Sequence, residues 1–301
     1  MLFRHRLFIA FALGIAIGFV NFYLQFNFHI PSDFSIPLCG ANRLIADLNP
    51  YSCPTNGVAS YPLTTIIALI PISGLPVEIA SAIIMGISTG LLAYALNRPQ
   101  EPWRLLAFLS VPFVYSVQIS QWAPLFLAAV YLEWLYPIVL IKPQLGLSIS
   151  IMNFTPRRFF LVLALGLISL LIQPDWILRW WQQSSGYDGF IPLLSIPGLI
   201  LLLAIIRWRT KPAQWLFLLS LTPQRGWYDQ LMLWTIPSNQ QQMMLLTACS
   251  WLMWLPIIIF GPHIFRGYSN LWLTISLFYP ALGIVLADKE PSQIEQPAKV
   301  K

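Results

Sequence analysis

The sequence predicts an all-α, polytopic integral membrane protein. Hydrophobic residues make up 57% of the 301-residue chain and charged residues only 9%, against about 25% in a typical soluble domain. The apolar residues form long runs rich in Leu, Ile and Phe, without the short alternating segments typical of a membrane β-barrel. Since backbone groups in lipid must bond within their own segment, these runs favour spanning helices.

The apolar runs predict about ten transmembrane helices, because a spanning helix needs about 20 apolar residues. Two runs are short and the stretch 142–156 is unassigned, so the count ranges from about nine to about eleven. Together they form one membrane domain over residues 1–287. The predicted spans are 7–24, 77–97, 103–117, 123–141, 159–173, 190–206, 212–223, 229–238, 242–260 and 270–287.

The basic residues predict the orientation of the chain. Pairs such as Arg4 with Arg6, and Arg157 with Arg158, stand at the ends of apolar runs, as cytoplasmic loops require. The net charge of +6 is therefore a topology signal and does not indicate nucleic-acid binding. We expect a multi-pass protein of a bacterial plasma membrane with a cytoplasmic amino terminus. The alternative, a cleaved signal peptide, lacks a small-residue cleavage site after the first run.

The largest predicted extracytoplasmic segment is the first outer loop, residues 25–76. Its apolar stretch 63–72 is too short to span comfortably and predicts a helix along the outer surface. A short true span, which would invert everything after it, is the alternative. Cys39 and Cys53 share this loop, and a disulfide or two unpaired thiols both remain open. Residues 288–301 predict a disordered cytoplasmic tail.

Seven short motifs follow one another along the chain. They are Ser32-Asp33-Phe34, Asn49-Pro50-Tyr51, Tyr61-Pro62-Leu63, Leu69-Ile70-Pro71, Ser120-Gln121-Trp122-Ala123-Pro124-Leu125, Ile141-Lys142-Pro143-Gln144-Leu145 and Thr222-Pro223-Gln224-Arg225-Gly226-Trp227-Tyr228-Asp229. In this order they resemble motifs of the polyprenyl-phosphate-sugar-dependent mannosyltransferases, which belong to the C-type (GT-C) membrane glycosyltransferases. The resemblance consists of motif order more than of any one motif. Ser120 stands where Gly is typical, and the gap from Gln121 to Lys142 is one helix shorter than usual.

The resemblance implies an inverting transfer of mannose or another hexose from a polyprenyl-phosphate donor to a lipid or glycan acceptor on the extracytoplasmic face. Asp33 is the expected general base, because a neutral hydroxyl needs a carboxylate to take its proton. The departing phosphate is already an anion, so no acidic partner is needed. The expected partners are thus the donor, the acceptor and the bilayer, without a cofactor or metal site; a divalent metal remains open.

Cations are needed where charge develops on the phosphate, and Lys142 and Arg225 are the expected phosphate-binding residues. A lysine at the bilayer centre is costly, by about 2.5 to 3.5 kcal/mol on insertion scales, so Lys142 is either functional or reaches the headgroups along its stem. Arg225 as an interfacial anchor is the corresponding alternative. The expected sugar- or acceptor-binding residues are Gln121, Gln144, Tyr228 and Asp229.

Two other functions fit the same composition. Many helices with a few intramembrane charges also describe a transporter or flippase, which predicts broken helices in related halves. A non-catalytic membrane scaffold of the same fold is the third hypothesis, suggested by the short stretch between Gln121 and Lys142. The side of the membrane that Lys142 faces decides whether the predicted enzyme site can assemble.

Overall fold

The computed structural model describes residues 2–53, 61–184, 189–225, 227–260 and 270–288. Over these residues the structure is all-helical and contains no β-strand; one isolated backbone bridge joins Phe190 to Gln224. The predicted cytoplasmic tail lies outside the described residues apart from Asp288. The helical class predicted from composition is therefore correct.

The helices are numbered in chain order. They are α1 (Leu2–Phe28), α2 (Ser35–Ile45), α3 (Leu63–Leu69), α4 (Val77–Leu96), α5 (Val111–Ile119), α6 (Ala123–Tyr131), α7 (Pro143–Met152), α8 (Pro156–Ile172), α9 (Trp176–Ser184), α10 (Lys211–Leu221), α11 (Gln240–Trp251), α12 (Leu255–Phe260) and α13 (Asn270–Ala287). Helix α13 contains a π-turn at Thr274–Phe278.

Several apolar stretches form 3-10 helix, which closes hydrogen bonds one residue earlier than an α-helix. These segments are Pro50–Ser52, Ile70–Ile72, Pro102–Leu109, Glu133–Leu140, Pro192–Leu194, Pro197–Arg207, Asp229–Thr235 and Leu252–Trp254.

The prediction of about ten spans is wrong for the part of the chain that the structure describes. Three helices there are long and apolar enough to cross a bilayer, namely α1, α4 and α13. The consecutive helices α8 and α9 would add a fourth if counted together, but they meet at 94°. These helices fit a helical membrane protein.

Proline explains why the apolar runs were overcounted. Hydropathy scores a window by its residues and ignores breaks, whereas proline lacks an N–H and favours the first turn of a helix. Pro112, Pro124, Pro143 and Pro156 each stand in the first turn of a new helix. The run 103–117, for example, divides into the 3-10 segment Pro102–Leu109 and helix α5.

The two longest helices, α1 and α4, pack along each other through glycines. A Cβ added to Gly14 would lie 2.8 Å from the carbonyl oxygen of Gly86, and one added to Gly90 would lie 3.1 Å from that of Ala10. Gly18 similarly faces the carbonyl of Ala82. Small residues four apart on both helices therefore allow the close backbone approach typical of membrane helix pairs.

The first loop folds onto the bundle. Cys39 of α2 and Cys53 are joined by a disulfide. The predicted short helix is present as α3 with the 3-10 turn Ile70–Ile72, but it is not simply a surface helix, because Leu63 and Ile66 are fully buried. Helix α3 packs against α2, and its Thr64 and Thr65 hydroxyls contact the segment that precedes Lys142.

Glu133, which falls inside a predicted span, is at the surface. Its carboxylate lies 2.7 Å from Nη2 of Arg158, and its side chain is 83% exposed. Since α6 ends at Tyr131, Glu133 opens a separate 3-10 segment and does not interrupt a continuous spanning helix. The ion pair explains a charge that hydropathy alone cannot place.

Candidate functional site

Asp33 lies in the short connection between α1 and α2, where the backbone of α5 fixes it. Its backbone N–H donates to the carbonyl oxygen of Ile119 at 3.1 Å. Two residues further along, the amide Nε2 of Gln121 donates to the Asp33 carboxylate. The last turn of α5 and the turn that follows it thus hold both the backbone and the side chain of Asp33.

Burial dominates the acidity of Asp33. It raises the pKa of the carboxyl above its ordinary value of 3.8, while the hydrogen bond from Gln121 and the positive charges of Lys142 and Arg225 act in the opposite direction. The negative charge of Asp229 adds to the increase. Lys142, Arg225 and Asp229 therefore all act electrostatically on Asp33. These four residues are called the Asp33 cluster below.

Lys142 reaches this cluster from the start of α7. It occupies the N-cap position of the helix that Pro143 begins, two residues after the 3-10 segment Glu133–Leu140. The hydroxyls of Thr64 and Thr65 in α3 donate to the carbonyls of Leu140 and Ile141, each at 2.7 Å. The first loop therefore fixes the two residues before Lys142. The positive charge of Lys142 in turn acts on the Asp33 carboxyl, which belongs to the same loop.

Asp229 contacts both cationic residues of the Asp33 cluster, Lys142 and Arg225. Its Oδ1 lies 2.6 Å from Nζ of Lys142, and its Oδ2 accepts a 2.8 Å hydrogen bond from the backbone N–H of Arg225. The ammonium of Lys142 also lies 4.7 Å from the centre of the Tyr228 ring, within cation–π range. The backbone N–H of Arg225 thus links this residue directly to the carboxylate of Asp229.

The turn that carries Arg225, Tyr228 and Asp229 has its own support. Gln230 donates from Nε2 to Gln224 Oε1 at 2.9 Å and to the carbonyl of Arg225 at 3.2 Å. Gln224 is tied to Phe190 by two backbone hydrogen bonds. Trp227 has a φ of 80°, the left-handed region that non-glycine residues rarely adopt. Such strain persists only where surrounding contacts hold the backbone.

The structure brings together all but one of the predicted ligand-binding residues. Tyr228 is buried beside Lys142, and its ring stacks on that of Tyr115 with centres 6.2 Å apart. Gln144, predicted to bind sugar or acceptor, lies half-buried in the first turn of α7, and its side chain makes no hydrogen bond within the described residues. Residues from separate motifs therefore lie together in space, and the Gln144 side chain takes no part in their hydrogen-bond network.

Sequence reasoning missed two amides of α1, Asn21 and Gln25. Both are buried, and both donate to the end of α5 next to Gln121. Two polar residues four positions apart in an apolar span were the available signal, because buried polar groups in a membrane helix are costly unless bonded. Thr64 and Thr65 were missed as well, and no pattern in the sequence distinguishes them.

The described residues contain no group of three or more His, Cys, Asp or Glu side chains arranged to hold a metal ion. No family model, curated protein or solved structure matches this chain.

Proposed function

We propose that the chain is an inverting membrane glycosyltransferase that uses a polyprenyl-phosphate hexose, such as the mannose derivative, as its donor. One observation carries the proposal: the two carboxylates of the Asp33 cluster are held differently. Asp229 is fully buried and paired with the Lys142 ammonium and a backbone N–H, whereas Asp33 is half-buried and receives an amide hydrogen bond from Gln121. Adjacent carboxylates in unlike environments are typical of divided catalytic roles.

The proposed base is Asp33. Burial raises the pKa of its carboxyl, which makes its ionised form a better proton acceptor than an exposed aspartate. The acceptor hydroxyl forms a bond to the anomeric carbon of the donor sugar as the bond from that carbon to the phosphate oxygen breaks. The hydroxyl proton passes to Asp33, and polyprenyl phosphate leaves as an anion.

Lys142 is the proposed counter-charge for the leaving phosphate. An ammonium has three N–H donors, and the contact with Asp229 uses one of them. Asp229 accordingly changes role from the sequence-based hypothesis: it orients Lys142 instead of binding sugar. Arg225, whose charge also acts on Asp33, is the second cation of the same proposal.

The test measures transfer by purified protein in lipid nanodiscs. Radiolabelled polyprenyl-phosphate mannose and polyprenyl-phosphate glucose are supplied with a panel of lipid and glycan acceptors, and products are separated by chromatography. We expect Asp33→Asn to lose about 10² to 10⁴-fold in turnover. The matched control is Asp175→Asn, which removes an exposed carboxylate paired with Arg179. Equal turnover by Asp33→Asn and the unaltered protein, or a product with retained anomeric configuration, would overturn the proposal.

A transporter or flippase is the second candidate, favoured by the helix breaks at the cluster. Gln121 follows the end of α5 and Lys142 precedes the start of α7, and discontinuous helices are typical of transporter binding sites. Sealed vesicles with fluorescent polyprenyl-phosphate lipid in one leaflet separate the two hypotheses. Movement between leaflets without any sugar transfer, unaffected by Asp33→Asn, would favour this candidate over the enzyme.

A further inference from the structure

The carboxyl-terminal end of α5 is completed by other parts of the chain. The last carbonyls of a helix have no partner within it and need one from elsewhere. The carbonyl of Ser116 accepts from the N–H groups of Ser120 and Gln121, and that of Ile119 accepts from Asp33. Between them, Val117 and Gln118 receive the two buried amides of α1.

Those two amides also contact the turn itself. Asn21 Nδ2 donates to the Val117 carbonyl at 2.6 Å and to Oγ of Ser120 at 3.0 Å. Gln25 Nε2 donates to the Gln118 carbonyl at 3.2 Å and lies 3.4 Å from the same Oγ. Asn21 is fully buried and Gln25 nearly so, on a helix whose other face is apolar.

Ser120 is in a conformation that needs this support. Its φ of 58° lies in the left-handed region, which residues with a Cβ rarely adopt. Gly adopts this conformation without steric cost. The hydroxyl contributes what Gly cannot, an acceptor for Asn21, so the turn is held from α1 as well as by its own backbone.

We infer that Asn21, assisted by Gln25, is a positioning residue that holds the Ser120 turn so that the Gln121 amide faces the Asp33 carboxylate. Neither residue touches the proposed reacting atoms. Each acts through Gln121, the next residue after the turn. The inference extends the proposed function, because the effect of this contact on activity depends on Asp33 being the base, but the contact itself is tested without substrate.

The expected consequence is a change in the proton affinity of Asp33. The Gln121 hydrogen bond lowers the pKa of that carboxyl, so a misaligned amide lets the pKa rise further. The other groups that act electrostatically on Asp33 are unchanged by a substitution at position 21. They are Lys142, Arg225, Asp229, Tyr61, Tyr115 and Tyr228.

The test follows ionisation of Asp33 by infrared spectroscopy over a pH series, in protein reconstituted without substrate. The Asp33 carboxyl band is identified as the one absent from Asp33→Asn. We expect Asn21→Leu to raise the apparent pKa by about one pH unit, in the same direction as Gln121→Leu. Asn27→Leu is the matched control, since Asn27 is exposed on the same helix and its Nδ2 donates to the carbonyl of Tyr23 within that helix.

A double variant separates positioning from a merely structural role. In a Gln121→Leu background, Asn21→Leu is expected to cause no further change in the Asp33 pKa, because Asn21 acts through Gln121. If Asn21→Leu lowers the melting temperature but leaves the Asp33 pKa unchanged, or changes it equally in both backgrounds, the inference is wrong. Where Asn21→Leu does not yield folded protein, Asn21→Ser, which shortens the reach to Val117, carries the same test.

The two proposals fail independently. A pKa shift in Asn21→Leu with no sugar transfer by the unaltered protein retains the positioning role and rejects the glycosyltransferase. Sugar transfer that depends on Asp33, together with an Asp33 pKa that Asn21→Leu does not change, retains the glycosyltransferase and rejects the positioning role.

Discussion

The ammonium nitrogen of Lys142 lies 2.6 Å from Oδ1 of Asp229, 87 residues further along the chain, with the two side chains 8% and 0% exposed. Because both charges are buried, removing one side chain leaves the other charge in the interior without its ion-pair partner, which is costly. The pair therefore fixes the start of α7 to the Arg225–Asp229 turn, and it makes Lys142 a member of the Asp33 cluster rather than a residue that reaches towards headgroups.

Lys142→Met is expected to destabilise the protein by about 3 to 5 kcal/mol, because it leaves the Asp229 carboxylate buried and unpaired. Adding Asp229→Leu is expected to recover most of the loss, since the site is then apolar on both sides. Arg98→Met is the control, as Arg98 is partly exposed and lies 3.8 Å from Glu101. Chemical unfolding in detergent measures all variants; a double variant as unstable as Lys142→Met contradicts the prediction.

The pH dependence of stability is expected to carry the signature of Asp33. Because the folded-state pKa lies above 3.8, the folded protein binds this proton more tightly than the unfolded chain. The contribution of Asp33 to stability therefore falls as pH rises from 3.8 through the raised pKa, and is constant above it. Asp33→Asn removes that fall, so its melting temperature relative to the unaltered protein increases with pH across this window.

Asp175→Asn is the control with the opposite sign. The hydrogen bond from Arg179 lowers the pKa of the Asp175 carboxyl, so its contribution to stability is present above 3.8 and is lost as pH falls through the lowered pKa. Melting temperatures of both variants over one pH series measure the two slopes. Parallel curves for Asp33→Asn and the unaltered protein would show that the Asp33 carboxyl has an ordinary pKa.

Removal of the Cys39–Cys53 disulfide is expected to reduce stability by about 2 to 4 kcal/mol, because a crosslink restricts the unfolded chain. The change is the Cys39→Ser, Cys53→Ser double variant, measured by chemical unfolding under non-reducing conditions. Cys249→Ser is the control, since Cys249 is a free cysteine. Reducing agent should lower the stability of the unaltered protein and of Cys249→Ser, and leave the double variant unchanged.

Gly14→Ala is expected to weaken the contact between α1 and α4. The added methyl group would lie 2.8 Å from a backbone carbonyl, so the helices must separate, at a cost of about 1 to 3 kcal/mol. Gly166→Ala is the matched control, because Gly166 lies inside α8 and a Cβ there meets nothing within 4 Å. Thermal unfolding compares the two, and an equal response would exclude close packing as the reason for Gly14.

Composition predicted the helical class because burial in lipid depends on residue type and little else. The number of spans was not predictable in the same way, since Pro112, Pro124 and Pro143 begin new helices inside or beside apolar runs. A hydropathy window gives the same score to a continuous helix and to two short ones joined at proline. Backbone hydrogen bonding, rather than apolarity, decides between them.

Motif order singled out most of the residues that the structure brings together, while their role stays a prediction. Asp33, Gln121, Lys142 and Asp229 are far apart in sequence and meet in one cluster. The pairing of Lys142 with Asp229 was not predicted, because sequence shows which charges exist and not which of them meet. The same reason applies to Asn21, whose partner is a backbone carbonyl that every residue possesses.

The two threonine contacts of α3 have a mechanical consequence. Thr64 and Thr65 bind the carbonyls just before Lys142, while the disulfide closes the preceding part of the same loop. The first loop and the backbone just before Lys142 are thus mechanically coupled. A displacement of α3 would therefore strain the two hydrogen bonds that hold the residues just before Lys142, so the position of the first loop and that of the Lys142 ammonium are linked.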